Sequence, residues 1–275
     1  MRHDVLTIIV TYNPDWEVVL KRVISFSQST VVFVSDNSAV SSEHMLKYDN
    51  VIYHFNNGNV GIAKAQNIGV EYALTNNFNF IAFVDDDSNL NGEKINQLLA
   101  SYDSLGELGK NIAALCAYPS ERGGLDKKKE STFGDKFYLT NNLMSSGSLT
   151  RSEVFKHVGL FNDKLFIDYV DYEWGWRALA NNYFIVIDSS VHFEHSLGQG
   201  RLGSGLGIPS PIRHFYQTRN LLWISRLDYV PGSWKLKQLC LLPIRFVYFG
   251  FIYEKSKIRR AHFLKGLAAG LKSKI

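Results

Sequence analysis

Phe80-Ile-Ala-Phe-Val-Asp-Asp-Asp-Ser88 is a short apolar run that stops abruptly at three adjacent carboxylates. Side chains alternate along an extended chain, so Asp85 and Asp87 share one side and Asp86 points the other way. Two like charges on one side cost energy unless a cation or hydrogen bonds compensate them. Oxygen-rich sites suit Mg²⁺ or Mn²⁺, and Mg²⁺ binds through one or two carboxylates plus substrate phosphates. The stretch therefore predicts a metal–diphosphate site at the carboxyl end of a buried strand. An EF-hand counted from Asp85 would need Gly and Glu where Leu90 and Asn96 stand, which excludes it. The plain alternative is an acidic turn with Ser88 or Asn89 capping the next helix.

Outward from that strand, the pattern repeats. Val5–Thr11, Val31–Val34 and Val51–Phe55 read as further strands, and Trp16, Val19, Leu20 and Val23 line one helical face. Gly61–Leu74 reads as a helix. Alternation of strand and helix with short connections predicts a doubly wound, mainly parallel α/β sheet with flanking helices. Ligands of such sheets bind beyond the carboxyl ends of the strands. Four polar clusters fall there: Thr11–Pro14, Asp36–Ser38, Asn56–Gly61 and Asp85–Ser88. Strands are expected near Ile112–Ala117, Leu143–Ser146 and Phe184–Asp188, and helices in Arg151–Val158 and Tyr169–Asn181. Residues 198–207 carry five glycines and read as a loop, with no strand leading directly into it as a dinucleotide fingerprint requires.

With 275 residues, 45% hydrophobic and 20% charged, the chain has a globular composition. Its start shows no signal-peptide pattern, and Cys116 and Cys240 have no metal or redox spacing, which suits a reducing compartment. Charge is unevenly placed. Residues 235–275 hold ten Lys or Arg against Glu254 alone, whereas the whole chain is only +4, so the remainder is net acidic. The apolar stretch Leu239–Tyr253 within that tail is broken by Pro243 and Arg245 and is too short for a spanning helix. It suits a helix lying on an anionic membrane surface; a nucleic-acid partner is not expected. The expected organisation is a catalytic domain in residues 1–225 and a basic amphipathic extension in 226–275.

In order and spacing the chain resembles family 2 glycosyltransferases of GT-A fold, in particular the bacterial rhamnosyltransferase branch. The resemblance spans about residues 5–225 and rests on Val10-Thr-Tyr-Asn-Pro14, Asp36-Asn-Ser38, Asn59-Val-Gly-Ile-Ala63, Asn67-Ile-Gly69, Asp85–Ser88, Ser145-Ser-Gly-Ser148, Gly159-Leu-Phe161, Leu165-Phe-Ile-Asp-Tyr-Val-Asp-Tyr-Glu-Trp174 with Arg177, His195-Ser-Leu-Gly198 and Arg219-Asn220. It implies inverting transfer of L-rhamnose from dTDP-β-L-rhamnose, with Mg²⁺ or Mn²⁺, to a lipid-linked surface glycan at the cytoplasmic face of a bacterial membrane. The Asp85–Asp87 triplet also resembles galactofuranosyltransferases, which implies a UDP-sugar as the alternative donor. A non-catalytic sugar-nucleotide-binding protein is the rival of a different class.

The resemblance assigns roles residue by residue. Asp171 is the catalytic base, and the N-terminus of its helix would help keep it ionised. Asp87 is the principal metal ligand, with Asp85 a ligand or ribose-side partner and His195 a further ligand. Thr11, Tyr12 and Asn13 hold base and ribose, and Asp36 would accept from a pyrimidine N3–H. Asn59, Gly61 and Asn67 lie where helix amides can meet phosphate, and Arg201 sits in the glycine loop as a lid candidate. Asp168 binds acceptor or sugar, or caps the helix. Trp174 stacks on a sugar or packs in the core, and Glu173 pairs with Arg177 on the helix surface.

Overall fold

The computed structural model describes residues 2–42, 48–86, 88–119, 132–133, 136–193, 208–273 and 275. Among these residues nine strands form one sheet in the order β3-β2-β1-β4-β8-β5-β9-β7-β6. They are β1 (Arg2–Thr11), β2 (Thr30–Asp36), β3 (Val51–Phe55), β4 (Phe80–Asp85), β5 (Ile112–Pro119), β6 (Thr132–Phe133), β7 (Phe137–Leu139), β8 (Ser148–Arg151) and β9 (Phe184–Phe193). The helices are α1 (Trp16–Ser27), α2 (Ile62–Thr75), α3 (Gly92–Ser104), α4 (Ser152–Val158), α5 (Val170–Ala180), α6 (Arg213–Ile224), α7 (Gly232–Val247) and α8 (Ser256–Lys272).

Burial on both faces explains the apolar runs. Leu6, Ile8, Phe33, Ile81 and Phe83 join the core under α2, α4 and α5, while Val5, Ile9, Val32, Val34, Ala82 and Val84 join the one under α1 and α3. Strands covered on two sides read as continuous Val/Ile/Leu sequence, as these do. β3, β2, β1 and β4 are parallel neighbours. The order reverses where β1 meets β4, which opens a crevice at their carboxyl ends, where Val10 registers with Asp85 and Thr11 with Asp36.

The second half departs from the expected pattern. β8 runs antiparallel to both β4 and β5. It begins at Ser148, so residues 143–146 are not the strand expected there. Gly147 adopts φ +81 and donates its amide to the Phe83 carbonyl at 2.8 Å, turning the chain into β8. Arg151 ends that strand and α4 starts one residue later.

Residues 226–275 are not a detached tail. α8 lies against α6 with Gly266 and Gly270 at the contact: a Cβ on Gly266 would stand 2.5 Å from the Phe215 carbonyl oxygen, and one on Gly270 would stand 2.8 Å from Leu222. Arg259 of α8 is buried, donates to the Pro209 and Glu254 carbonyls and to His214 Nε2, and faces the rings of Phe249 and Tyr253. α7 differs, because none of its residues is buried. Leu236, Ile244 and the following Ile252 are 66%, 63% and 70% exposed. Cys240 is exposed on the same helix, whereas Cys116 is buried in β5. Among the described residues no helix is long and apolar enough to cross a membrane.

Candidate functional site

The strand-end loops are tied into one unit. Asn37 receives the Asn56 Nδ2 amide on its Oδ1 and donates its own side-chain amide to the Gly61 carbonyl at 3.3 Å, while its backbone amide donates to the Thr11 carbonyl at 2.8 Å. Asn13 sits at φ +46, donates its amide to Ser38 Oγ at 2.8 Å and accepts from the Ala39 amide. This holds Tyr12 out into solvent at the mouth of the crevice. Thr11 is fully buried and donates to Asp36 Oδ1 at 3.0 Å.

Asp36 lies at the base of this unit. Its carboxylate also accepts from the Ser38 amide at 2.9 Å and from the Tyr53 hydroxyl at 2.6 Å, with no exposure to solvent. Burial, then the Asp36 hydrogen bond, pushes the Tyr53 phenol above its ordinary range. A nucleobase could reach this carboxylate only if one of those partners yields.

Three residues expected at the nucleotide carry contacts within the chain. Asn67 is buried and uses both ends of its amide on one residue, accepting from the Phe161 amide at 2.9 Å and donating to the Phe161 carbonyl at 2.8 Å. Asn59 Oδ1 takes the Gly61 amide at 3.0 Å. The next two helix amides, Ile62 and Ala63, donate to the Phe166 carbonyl. The start of α2 is therefore closed by a loop of the same chain rather than left open to phosphate. Gly61 has φ +86, and a Cβ there would lie 2.6 Å from Phe166, which is why a glycine stands at this point.

Asp85 ends β4 half-buried, with its amide held by Ser146 Oγ at 3.1 Å and its carbonyl accepting from the Ser88 hydroxyl and amide. Arg22 donates to the Asp86 carbonyl. Asp87, His195, Arg201 and the glycine loop lie outside the described residues. Among the described residues no three metal-ligating side chains converge. A hard carboxylate at the crevice does have the donor chemistry of a magnesium or manganese site.

Asp171 stands half-buried in the first turn of α5, its Oδ1 accepting from the Tyr172 amide at 2.9 Å. Burial lifts the Cys116 thiol to about 12, and the Asp171 charge adds to that shift. Cys116 registers with Ser148, and Ser146 holds Asp85. Asp85 and Asp171 thus both lie near the Ser145–Ser148 turn.

The chain leading into Asp171 is strained. Phe166, Asp168 and Tyr169 adopt φ +67, +66 and +65. Each non-glycine residue in that region costs about 1–2 kcal/mol and persists where surrounding contacts over-determine it. Asp168 is neither free for a sugar nor a cap. It accepts from Arg213 Nη2 at 2.6 Å, Arg213 Nε at 3.2 Å and Gln217 Nε2 at 3.2 Å, while Tyr169 starts α5 without a side-chain cap. Burial alone would lower the Arg213 pKa, but the Asp168 contact raises it overall. Phe166 stacks on Tyr216 at 4.7 Å between ring centroids. Tyr169 packs against Trp234 of α7 and lies near the positive charge of Arg245.

Trp174 is wholly buried and donates to the Gly159 carbonyl at 2.8 Å, so it cannot stack on a sugar. Glu173 is also buried rather than on the helix surface. It pairs with Arg177 and accepts from Tyr229 at 2.5 Å, and Arg177 spans the Val158 and Leu160 carbonyls. The α6 side chains Arg213, Gln217 and Asn220 escaped notice as a group. Their i, i+4, i+7 spacing, a polar stripe on one helical face, was the available signal.

The family model for glycosyl transferase family 2 matches residues 7–159. The chain is 31% identical over 92% of its length to a dTDP-rhamnosyl transferase, RfbF, of Shigella flexneri, covering 88% of that protein. Its fold, GT-A, is similar to that of TarS of S. aureus in complex with UDP-GlcNAc, with TM-score 0.62 at 16% identity, covering 98% of this chain and 80% of that one. It is also similar to that of a Pyrobaculum calidifontis mannosyltransferase in complex with GDP-Man and Mn²⁺, with TM-score 0.58 at 13% identity, covering 99% and 76%.

Proposed function

The chain belongs to glycosyl transferase family 2 and is a glycosyltransferase, and on that premise we propose that it moves L-rhamnose from dTDP-β-L-rhamnose to a hydroxyl of a lipid-linked surface glycan, with inversion. What carries the donor assignment is the 31% identity, maintained over 92% of the chain, to a dTDP-rhamnosyl transferase. In this reaction the acceptor oxygen attacks the anomeric carbon from one side while the bond to the diphosphate breaks on the other. The acceptor proton passes to Asp171 and the electron pair leaves with dTDP. The N-terminal turn of α5 favours the ionised carboxylate before the proton arrives.

A divalent cation, Mg²⁺ or Mn²⁺, held by Asp85 with Asp87 and His195, would neutralise charge on the departing diphosphate. Support for it is the carboxylate chemistry at the end of β4, together with a Mn²⁺ complex of a protein of like fold. Thr11, Tyr12 and Asn13 border the nucleoside, with Tyr12 free to lie against a base, and Arg201 is assigned to the diphosphate from its place in the glycine loop of the sequence. The exposed apolar side of α7, flanked by the basic residues of the last forty positions, rests on the inner face of an anionic membrane where a lipid-linked acceptor is found.

Thermal-shift titration tests the donor. In the presence of Mn²⁺, dTDP-rhamnose should raise the melting temperature more than UDP-galactose or UDP-galactofuranose at equal concentration. Stabilisation by UDP compounds alone would reject the rhamnose assignment.

A further inference from the structure

We propose that Asn220 of α6 is a positioning residue for sugar transfer, one that fixes the left-handed Phe166–Tyr169 turn and thereby sets where Asp171 stands. The proposal rests on the reading of Asp171 as the base. Asn220 has no exposure to solvent. Its Nδ2 donates to the carbonyls of Leu165 at 2.9 Å, Ile167 at 2.8 Å and Asp168 at 3.1 Å. Two amide hydrogens are thus shared among three carbonyls on the strained turn. Its Oδ1 accepts from Arg219 Nε at 3.0 Å and Nη2 at 2.8 Å, which dictates which end of the amide faces the turn. Arg219 Nη2 also donates to the Lys164 and Leu165 carbonyls.

The geometry points to function beyond packing for two reasons. First, the turn ends at Tyr169, two residues before Asp171, and no glycine relieves it. A backbone held against its own preference relaxes when the restraint goes, and the helix that follows shifts with it. Second, among the described residues the Asn220 side chain hydrogen-bonds to the turn and its neighbour Arg219, and to none of the loops at the ends of β1 and β2. Its loss should therefore fall more heavily on catalysis than on nucleotide binding, which the turn meets through the Phe166 carbonyl at the start of α2.

Asn220→Asp and Asn220→Ala in the full chain test this, read by kcat, donor KM, dTDP affinity by calorimetry, and the pH profile of kcat. A displacement of about 1 Å costs on the order of 100-fold in rate, so kcat should fall about 100-fold while dTDP affinity stays within about twofold. The acid limb of the profile should move as Asp171 leaves its place at the helix start. Unchanged kcat and profile, or a loss of rate matched by loss of dTDP binding, would overturn the proposal. If neither variant folds, Arg219→Ala frees the Asn220 amide to turn and carries the test with the same readouts. Asp171→Asn, assayed alongside, separates the two claims. Full activity there removes the base, whereas an inactive Asp171→Asn beside fully active Asn220 variants removes the positioning role alone.

Discussion

At the scale of single residues, burial decides what each polar group can do. His214 is enclosed between Phe249, Phe263 and Arg259, with Nε2 accepting from the arginine and Nδ1 without a hydrogen-bond partner among the described residues. Burial, then the Arg259 charge, pushes its pKa from 6.5 down to about 3. The unfolded chain therefore takes up the proton first as pH falls. Stability tied to neutral His214 is complete above 6.5 and drains as the pH falls towards 3, by at most about 1.4 kcal/mol per pH unit. His214→Gln keeps an acceptor without a titration, so its melting temperature should fall less than that of the wild type between pH 6.5 and 4.5; parallel curves would refute the assignment. The same scale explains which site residues were legible. Asp85 is marked by the carboxylate run at a strand end and Asp171 by the family resemblance, and both lie near the Ser145–Ser148 turn. Asn67 and Trp174 could not be read correctly, because their partners Phe161 and Gly159 are backbone groups 94 and 15 positions away, and one sequence does not show tertiary partners.

At the scale of elements, β1, β2 and β4 were legible because each is buried on both faces and so carries a long apolar run, while the edge strand β3 was legible from its Val-Ile-Tyr start although none of its residues is buried. β8 was misplaced because the signal there is short and the turn at Gly147 shifts it by several residues. α8 was read as part of a basic tail, since its Lys and Arg residues dominate the composition. Its packing depends on two small residues one turn apart. Gly266→Val would drive side-chain atoms into the Phe215 carbonyl. It should cost about 1–3 kcal/mol by overpacking, measurable as a lower urea midpoint with unchanged slope. A Gly266→Val protein as stable as the wild type would show that α8 can slide off α6 without penalty.

At the scale of the molecule, charge and apolar exposure coincide in the last forty residues. The inward side of α7 carries Trp234, which meets Tyr169 and Trp176, and Arg245, whose charge lies near Tyr169. Its outward side carries Leu236, Ile244 and Val247, all more than half exposed. Vesicles containing phosphatidylserine or phosphatidylglycerol should therefore sediment the protein, while purely zwitterionic vesicles should retain much less. Binding should weaken as salt rises from 0.05 to about 0.5 M, since screening shortens the reach of the basic residues. Leu236→Glu with Ile252→Glu should abolish it and leave turnover of a soluble acceptor intact; equal sedimentation of the double variant would dismiss α7 as the contact.

The two cysteines of the chain sit in opposite environments. Cys116 is sealed in the sheet with its thiol held protonated far above neutrality, and Cys240 is open on the outward helix. A maleimide dye added to the native protein would therefore label a single position without mutagenesis. That position lies on the exposed side of α7 proposed to meet lipid, so the dye's emission colour would register docking directly and in real time.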